Sequence, residues 1–371
     1  MSVVGTSTAV TATRYSMQRK ALYAAGRFWA FYCDGTYIVF RSSMDGVSWS
    51  AETEVYTDAN GYPISVAFDG TYIHYICGSG RADLTYRRGL PNGDGTITWS
   101  ADEQPVTISE DYFLYVPTIA VDSNGYAYVG TVRGDKDTGA NRIPIVFKNA
   151  NNDGTWATAD GYPVTLNAST NSAWRTNIVA LTSGRMLAVY TYTGTTLRVK
   201  RFDGSSWGTE KTGTSNVVNG FSLSATSEGD DAHIVFCKAS TYDILHVKYT
   251  YSADSLGSET TLDTGQSNTS LPVICRDDSL RYLYVFWALS NHVYYRKHNG
   301  SSWEDEVDWI SETLTANYNV GCFEKRYGNY VGILYTGGSS SPYNVKFAFL
   351  SVGAVSHMRT HNFGTTTIVI T

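Results

Sequence analysis

The chain has 371 residues, of which 42% are hydrophobic and 17% are charged, and its formal net charge is −6 at pH 7. This acidic balance and the lack of a local Lys/Arg cluster provide no cationic surface for a phosphate backbone, so we expect no nucleic-acid partner. No apolar run approaches the roughly 20 residues that span a bilayer, and residues 1–20 lack the basic start and apolar core of a signal peptide. We therefore expect a soluble protein without a membrane partner. The sequence does not identify the cellular compartment, and an extracellular or particle-surface location is one alternative.

Taken in chain order, the sequence divides into repeats of short strands. In the first repeat, residues 21–25, 28–33, 37–42 and 49–55 have the β-branched and aromatic composition that favours strands. The same order of strands recurs six more times, with Gly, Asp or Asn in the turns. The inner strands of the seven repeats are predicted to begin at Ala21, Ile64, Pro117, Thr176, Phe221, Leu271 and Val320.

A turn motif marks the junction of the third and fourth strands in most repeats. It is Asp45-Gly46-Val47-Ser48-Trp49 in the first repeat, and it returns with its tryptophan at Trp99, Trp156, Trp207 and Trp303. A degenerate copy lies near Asp254. The tryptophans recur at intervals of about 50 residues or about twice that, and such a period indicates a repeat architecture.

Four antiparallel strands form a sheet that is too small to be stable alone, so such sheets pack face to face around an axis. We therefore predict an all-β fold, a seven-bladed β-propeller of four-stranded antiparallel blades, with six blades as the alternative. The last repeat supplies only three strands by residue 350, and residues 9–13 are predicted to provide the fourth by pairing with residues 343–350. The propeller domain then spans residues 1–350. Its N-terminal strand closes the ring and removes two exposed sheet edges.

Residues 351–371 are left over as a C-terminal tail. Its last part, residues 365–371, is β-branched and uncharged apart from the terminal carboxylate, which predicts a final β-strand that needs a partner. We expect this strand to pair with the outer edge of its own propeller. Pairing with a neighbouring subunit is the alternative.

The Asp-Gly turns resemble the Asp box of the bacterial neuraminidase repeat, or BNR repeat, whose fuller form has Ser, Asp, Gly, Thr and Trp within eight residues. The segment from Ser42 to Trp49 is the closest match, although Asp45 lies directly before Gly46 instead of two positions before it. The resemblance is thus to degenerate motifs of the sialidase-like β-propeller superfamily. It implies that the turns lie on the face away from a ligand site. Their residue types agree with a structural role, because Asp accepts backbone hydrogen bonds, Gly allows positive φ and Trp packs between blades.

The opposite face carries the connections between repeats and the loops between second and third strands. Candidate ligand-binding residues there combine guanidinium, amide, carboxylate and aromatic groups. Such a mixture suits sugar, because aromatic rings pack on apolar sugar faces while polar groups bind hydroxyls. The candidates are Arg19, Tyr62, Asp111, Tyr112, Tyr115, Trp174, Arg175, Asn219, Tyr318 and Asn319.

Three functions are considered. The first is a non-catalytic carbohydrate-binding or attachment module that binds a glycan, and the second is an interaction scaffold that binds a protein surface. The third, implied by the resemblance, is a sialidase-like exo-glycosidase, which needs three arginines that bind a carboxylate, a Tyr nucleophile assisted by a Glu, and an acid/base Asp. The family's Arg-Ile-Pro signature is absent from the first repeat and occurs as Arg142-Ile143-Pro144 in the third. This departure favours a protein without catalytic residues.

We expect no cofactor, with Ca²⁺ as the one candidate ion. Asp135, Asp137 and Asn141 lie in the loop between the second and third strands of the third repeat, with Gly139 among them. Oxygen ligands at alternate positions around a Gly are typical of the start of a calcium loop. No Glu follows at the spacing that closes such loops, so a solvated loop is the alternative.

Overall fold

The computed structural model describes residues 1–56 and 63–353, together with the backbone of residues 361–363 and 366–368. Within these residues every regular element is a β-strand, and the strands form seven antiparallel sheets and one short hairpin. Inner strands of successive sheets, or the strands beside them, contact one another around a closed ring. The predicted seven-bladed all-β propeller is confirmed, and the six-bladed alternative is wrong. The described ranges contain no helix with the length and hydrophobicity needed to cross a membrane.

The strands are numbered in chain order. The first half of the chain contains β1 (Ser2–Ser7), β2 (Ala21–Ala24), β3 (Arg27–Cys33), β4 (Ile38–Ser43), β5 (Thr53–Tyr56), β6 (Ile64–Phe68), β7 (Ile73–Cys77), β8 (Asp83–Pro91), β9 (Ile97–Trp99), β10 (Gln104–Thr107), β11 (Tyr112–Val121), β12 (Ala127–Asp135), β13 (Ile143–Lys148), β14 (Val164–Thr165) and β15 (Arg175–Ala180). The second half contains β16 (Met186–Thr191), β17 (Thr196–Phe202), β18 (Lys211–Asn216), β19 (Leu223–Glu228), β20 (Asp231–Cys237), β21 (Ile244–Thr250), β22 (Ser255–Leu256), β23 (Thr260–Asp263), β24 (Val273–Asp277), β25 (Tyr282–Leu289), β26 (His292–His298), β27 (Val307–Ser311), β28 (Val320–Cys322), β29 (Tyr330–Gly337), β30 (Tyr343–Ser351), β31 (His361–Phe363) and β32 (Thr366–Ile368).

Each blade takes consecutive strands from the chain. Blades 1 to 6 are β2–β5, β6–β10, β11–β14, β15–β18, β19–β23 and β24–β27, and blade 7 is β28–β30 with β1. In blades 2 and 5, two short strands share the outer position. The second strands are almost entirely buried, as in β3 and β20, because they pack between neighbouring blades.

The Asp-Gly turns lie between the third and fourth strands, as predicted. In blade 1, the Asp45 carboxylate accepts hydrogen bonds from the backbone N–H groups of Ser48 and Val47 at 2.7 and 2.8 Å. These bonds hold the pKa of Asp45 at about 2. Asn299 accepts the equivalent bonds in blade 6. The turn side chains therefore accept the hydrogen bonds of the N–H groups in their own turns.

Blade 7 is completed by the N-terminus, but not by the predicted residues. β1 pairs antiparallel with residues 343–347 of β30. The prediction that residues 9–13 form this strand is wrong. Thr13 is fully buried at the channel, where its hydroxyl donates to the Asn319 carbonyl at 2.7 Å. The chain must leave the blade before this point, so the strand occupies earlier residues.

The segment between β1 and β2, residues 8–20, enters the central channel, and we call it the channel segment. The Ser16 hydroxyl donates to the Phe221 carbonyl of blade 5 at 2.6 Å, and the Gln18 amide donates to the Pro117 carbonyl of blade 3 at 2.7 Å. Residues 15–20 are all buried. Side chains from one end of the chain therefore occupy the axis around which the blades are arranged.

The tail contains a two-stranded hairpin in which β31 pairs with β32. β32 falls within the predicted final strand, residues 365–371, whose other residues lie outside the described ranges. Docking of the tail on the outer edge of the propeller stays a prediction.

Candidate functional site

A cavity of about 310 Å³ opens beside the channel segment on the face opposite the Asp-Gly turns. It lies where the connections into blades 5, 6 and 7 meet the channel segment, and we call it the mouth cavity. Three aromatic rings and a leucine supply apolar surface, and an amide, a hydroxyl and a guanidinium group supply polar contacts. The lining residues are Arg14, Tyr15, Asn219, Phe221, Thr269, Leu271 and Tyr318.

One wall of the mouth cavity is a stacked aromatic pair. The ring centroids of Tyr15 and Phe221 are 4.4 Å apart, with an angle of 17° between the ring planes. Tyr15 has a φ of 78°, in the left-handed region that is costly for a residue with a side chain, so the surrounding contacts must hold it there. Burial raises the pKa of Tyr15, so its phenol is neutral at physiological pH. Two distant parts of the chain thus build one rigid wall.

Arg175, at the start of β15, packs on this wall. Its guanidinium carbon lies 3.8 Å from the Phe221 ring centroid, and the residue is only 8% exposed. Its guanidinium donates to the Trp174 carbonyl at 2.5 Å, and its Nε has no hydrogen-bond partner among the described residues. Burial, and then the nearby positive charges of Arg142 and Arg14, lower the pKa of Arg175 to about 10. Two like charges therefore lie near this buried cation, while the Tyr15 phenol opposes their effect on its pKa.

Two further arginines complete a cationic group. The guanidinium carbon of Arg14 lies 4.1 Å from the Tyr15 ring centroid, and Arg14 donates to the Tyr15 hydroxyl. Arg142 follows the β12–β13 loop and stacks on Tyr115 at 3.7 Å. Arg142 also donates to the Gly139 carbonyl at 2.8 Å. In the part of the chain that the structure describes, none of the three arginines forms an ion pair with Asp or Glu.

The structure brings four of the predicted residues to this region. Asn219 and Tyr318 line the mouth cavity, and Arg175 packs on its aromatic wall. Tyr115 packs against the same apolar cluster as Tyr15. Asn219 also shapes its own turn, because its Oδ1 accepts the N–H of residue 221 at 2.9 Å.

Three predicted residues lie buried instead of facing a ligand. Trp174 is fully buried, and its indole N–H donates to a backbone carbonyl at 2.7 Å. Asn319 is also fully buried and donates to the Val10 carbonyl at 2.7 Å. Arg19 lies in the channel, where it donates to the Ala225 carbonyl at 2.8 Å. Asn319 therefore helps to hold the channel segment in place, and Arg19 is part of that segment.

The remaining predicted residues lie on blade 3 or outside the described ranges. Asp111 and Tyr112 line a polar cavity of about 580 Å³, which also contains Asp135 and Asp137. Tyr62 lies outside the described residues. In the candidate calcium loop, the Asn141 amide N–H₂ donates to Asp135 Oδ2 at 2.7 Å. Among the described residues, no group of three or more His, Cys, Asp or Glu side chains is arranged to hold a metal ion. Calcium binding in this loop stays a prediction.

Sequence reasoning missed six residues of the site, namely Arg14, Tyr15, Arg142, Phe221, Thr269 and Leu271. Phe221 is predicted correctly as the start of an inner strand, but not as a ligand contact. For Arg14 and Tyr15 a signal was present. The residues from 14 to 20 are polar or bulky without the alternation of a strand, which is typical of a segment buried on several sides.

No protein-family model matches the chain, and no curated protein matches it. Solved structures of similar shape include a polysaccharide lyase, an ulvan lyase bound to -[GlcA(1-4)Rha3S]-, with a TM-score of 0.60 and 11% identity over 95% of this chain and 96% of that chain. A variant of the Aleuria aurantia lectin in complex with alpha-methyl-L-fucoside has a TM-score of 0.53 and 14% identity over 83% of this chain and 97% of that chain. The phage phi92 endosialidase has a TM-score of 0.53 and 10% identity over 98% of this chain and 71% of that chain. At these identities the similarity shows the fold alone.

Proposed function

We propose that this chain is a non-catalytic carbohydrate-binding or attachment module and that the mouth cavity is its sugar site. One observation carries this proposal: the rings of Tyr15, Phe221 and Tyr318 share one cavity with the amide of Asn219 and the hydroxyl of Thr269. Sugar rings have apolar faces that pack on aromatic rings and hydroxyls that need hydrogen-bond partners. The cavity is at the small end of the range of about 300–1,000 Å³ for ligand pockets, which suits a single sugar residue.

The solved structures of similar fold support a carbohydrate ligand. One is bound to a saccharide that contains glucuronate, one is a lectin in complex with a fucoside, and one is named an endosialidase. They differ from this chain at most positions, so they support the class of ligand and not its identity.

The Asp-Gly turns support a distant relationship to sialidase-like propellers, and we propose that they are degenerate Asp boxes. Their tryptophans pack on neighbouring aromatic residues, as Trp49 does on Phe347 with ring centroids 5.4 Å apart. Their Asp and Asn side chains bond to the turn backbone. Both features stabilise the blades, and the mouth cavity lies on the opposite face of the propeller.

The chemistry of the cavity supports binding over hydrolysis. Glycosidases of the sialidase type need a carboxyl group to assist a Tyr nucleophile and a second one as acid/base. In the mouth cavity, the described lining residues are aromatic, aliphatic, amide, hydroxyl and guanidinium groups. The Tyr15 hydroxyl accepts a hydrogen bond from Arg14 instead of facing a Glu. The concave shape also favours a small ligand over the flat face of a protein-interaction scaffold.

A glycan array combined with a fluorogenic glycosidase panel tests this proposal. We expect the parent protein to bind a set of glycans without turnover. Tyr318→Ala should weaken that binding about tenfold or more, because the substitution removes a ring face from the cavity. Tyr242→Ala is the matched control, since Tyr242 is exposed on a loop of blade 5 and does not line the cavity.

Two outcomes would contradict the proposal. If no glycan binds, carbohydrate binding is wrong. If the parent hydrolyses a fluorogenic glycoside and Tyr318→Ala abolishes turnover, the cavity is an active site and the sialidase-like alternative is correct.

A further inference from the structure

We propose that the end of the central channel on the face of the Asp-Gly turns is a second binding site, which takes an alkylammonium group such as a lysine side chain or a free diamine. The site is a cavity of about 270 Å³, and we call it the axial pit. Residues from blades 2 to 7 line it, at the ends of inner strands and in the turns that follow them. In an antiparallel blade the turns after the first and third strands lie on one face, so the axial pit and the mouth cavity are at opposite ends of the channel.

Glu324, which follows β28 of blade 7, supplies a negative charge in the axial pit. Its backbone carbonyl accepts the Thr226 hydroxyl of blade 5 at 2.9 Å, which fixes the position of the residue. Its side chain lines both the axial pit and a smaller inner cavity of about 10 Å³. Within the described ranges its carboxylate forms neither an ion pair nor a hydrogen bond. A carboxylate that has lost part of its water is stabilised by a cation, so Glu324 is an open contact for one.

Asn177 lines the same inner cavity as Glu324 and adds a buried acceptor. Asn177 is 5% exposed, and its Oδ1 has no hydrogen-bond partner among the described residues. Its Nδ2 donates to the Met17 carbonyl at 3.2 Å, which holds the amide in one orientation. A buried acceptor without a donor is costly, and an ammonium group has three N–H donors. Because the inner cavity is so small, an ammonium group at its entrance can bond to Glu324 and Asn177 together.

The two arginines near Glu324 have other partners. The Arg19 guanidinium donates to Cys322 Sγ at 3.0 Å and to a backbone carbonyl at 2.8 Å. Arg276 forms an ion pair with Asp278, with 2.6 Å between Nε and Oδ1. Their hydrogen bonds are therefore directed away from the Glu324 carboxylate.

The remaining charges of the axial pit are mostly negative. The Lys325 ammonium lies 5.9 Å from the Tyr327 ring centroid and forms no ion pair with a described residue. Asp69 and Asp122 line the axial pit together with Glu324. Three carboxylates therefore face one unpaired ammonium group, and this balance favours a cationic ligand.

The walls of the axial pit favour an organic cation over a metal ion. Phe68, Val121 and Leu181 line it together with three alanines. A lysine side chain combines methylene groups, which pack on such walls, with a terminal charge. A metal ion has no methylene groups and gains nothing from these apolar contacts.

The test titrates the parent protein with two sources of the group and follows backbone amide resonances by NMR. Cadaverine represents a free diamine, and acetyl-Gly-Lys-Gly-amide represents a lysine of a partner protein. The same peptide acetylated on its lysine is the matched ligand control, because acetylation removes the charge. We expect the cationic ligands to shift the resonances of residues 119–123 and 323–325. The acetylated peptide should bind about tenfold or more weakly, as the loss of a hydrogen bond to a charged group implies.

A substitution at Glu324 then tests the anionic contact. Glu324→Gln keeps the size of the side chain and the backbone bond to Thr226, and it should lower the affinity for both cationic ligands about tenfold or more. Glu54→Gln is the matched control, since Glu54 is exposed on β5 of blade 1. The comparison of the two peptides on the parent protein needs no variant, so it decides the question even if Glu324→Gln is unstable.

The ligand that binds more tightly identifies the source of the ammonium group. The proposal is wrong if neither cationic ligand shifts these resonances, if the acetylated peptide binds as tightly as the charged one, or if folded Glu324→Gln keeps the full affinity. None of these results bears on the sugar site, because Tyr318→Ala tests the opposite end of the channel.

Discussion

Among single residues, Lys20 has an unfavourable environment for its charge in the channel. It is 2% exposed, and its ammonium nitrogen donates to Gln18 Oε1 at 3.2 Å. Burial, and then the charges of Arg14 and Arg19, lower the pKa of Lys20 well below its ordinary value. In the unfolded chain the pKa is about 10.4. Between the lowered pKa of the folded state and the pKa of the unfolded state, the unfolded chain binds more protons, so the contribution of Lys20 to stability rises with pH up to about 10.4.

Lys20→Met should raise the unfolding free energy at neutral pH by about 1 kcal/mol or more, because it removes a poorly solvated amine and keeps the volume. The advantage over the parent should shrink as the pH rises towards about 10, because the unfolded parent loses its proton there. Scanning calorimetry at several pH values measures this difference. Lys136→Met, at an exposed position, should leave stability unchanged. An advantage that does not depend on pH would contradict the titration argument.

Among the elements, the C-terminal tail offers a direct test of edge protection. We predict that its last strand pairs with the outer edge of its own propeller. Deletion of residues 364–371 should then lower the melting temperature and promote aggregation without changing the mass in solution, because an uncovered sheet edge pairs with other chains. Thermal melts and light scattering after size exclusion measure both effects. Conversion of an oligomer into a stable monomer would instead identify the tail as an assembly element.

The loop between β12 and β13 is the second element with a separate prediction. If Asp135, Asp137 and Asn141 bind Ca²⁺, addition of calcium to chelator-treated protein should raise the melting temperature, since an ion that binds the folded state alone stabilises it. Asp137→Asn should remove this effect. Asp102→Asn, at an exposed site on blade 2, should retain it. An unchanged melting temperature in the parent would exclude the calcium site.

For the whole molecule, the channel segment connects ring closure with the proposed ligand site. It follows β1, which completes blade 7, and it contributes Arg14 and Tyr15 to the mouth cavity. A ligand held by these residues and by blade 5 stabilises the arrangement in which the channel is filled. We therefore predict that ligand binding and closure of the ring are thermodynamically linked.

Hydrogen exchange measures this linkage. On saturation with the glycan selected by the array, peptides from residues 8–20 should exchange more slowly, because the opening that exposes them must release the ligand. Peptides from the Asp45 turn are the internal control, since that turn lies on the opposite face. Unchanged exchange in residues 8–20 at full occupancy would show that the segment does not hold the ligand.

Sequence by itself determined the number of blades, the order of strands and the face that carries the Asp-Gly turns. These features depend on local chemistry. Asp45 bonds to the backbone of its own turn, and alternating apolar residues pair with the neighbouring strand along the chain. Closure of blade 7 by the N-terminus was also predictable, because the last repeat lacks a strand.

Only the tertiary structure decided which N-terminal residues form that strand and which residues build the site. Ser16 donates a hydrogen bond to the carbonyl of Phe221, which lies 205 positions later in the chain. Arg175 packs on the ring of Phe221 from another blade. A periodic sequence pattern does not predict such contacts, because they depend on how much side-chain volume the central channel can bury. The channel segment fills that volume. The strand that completes blade 7 therefore occupies residues nearer the N-terminus than predicted. It also buries Arg19 and Asn319 and places Arg14 and Tyr15 at the mouth cavity.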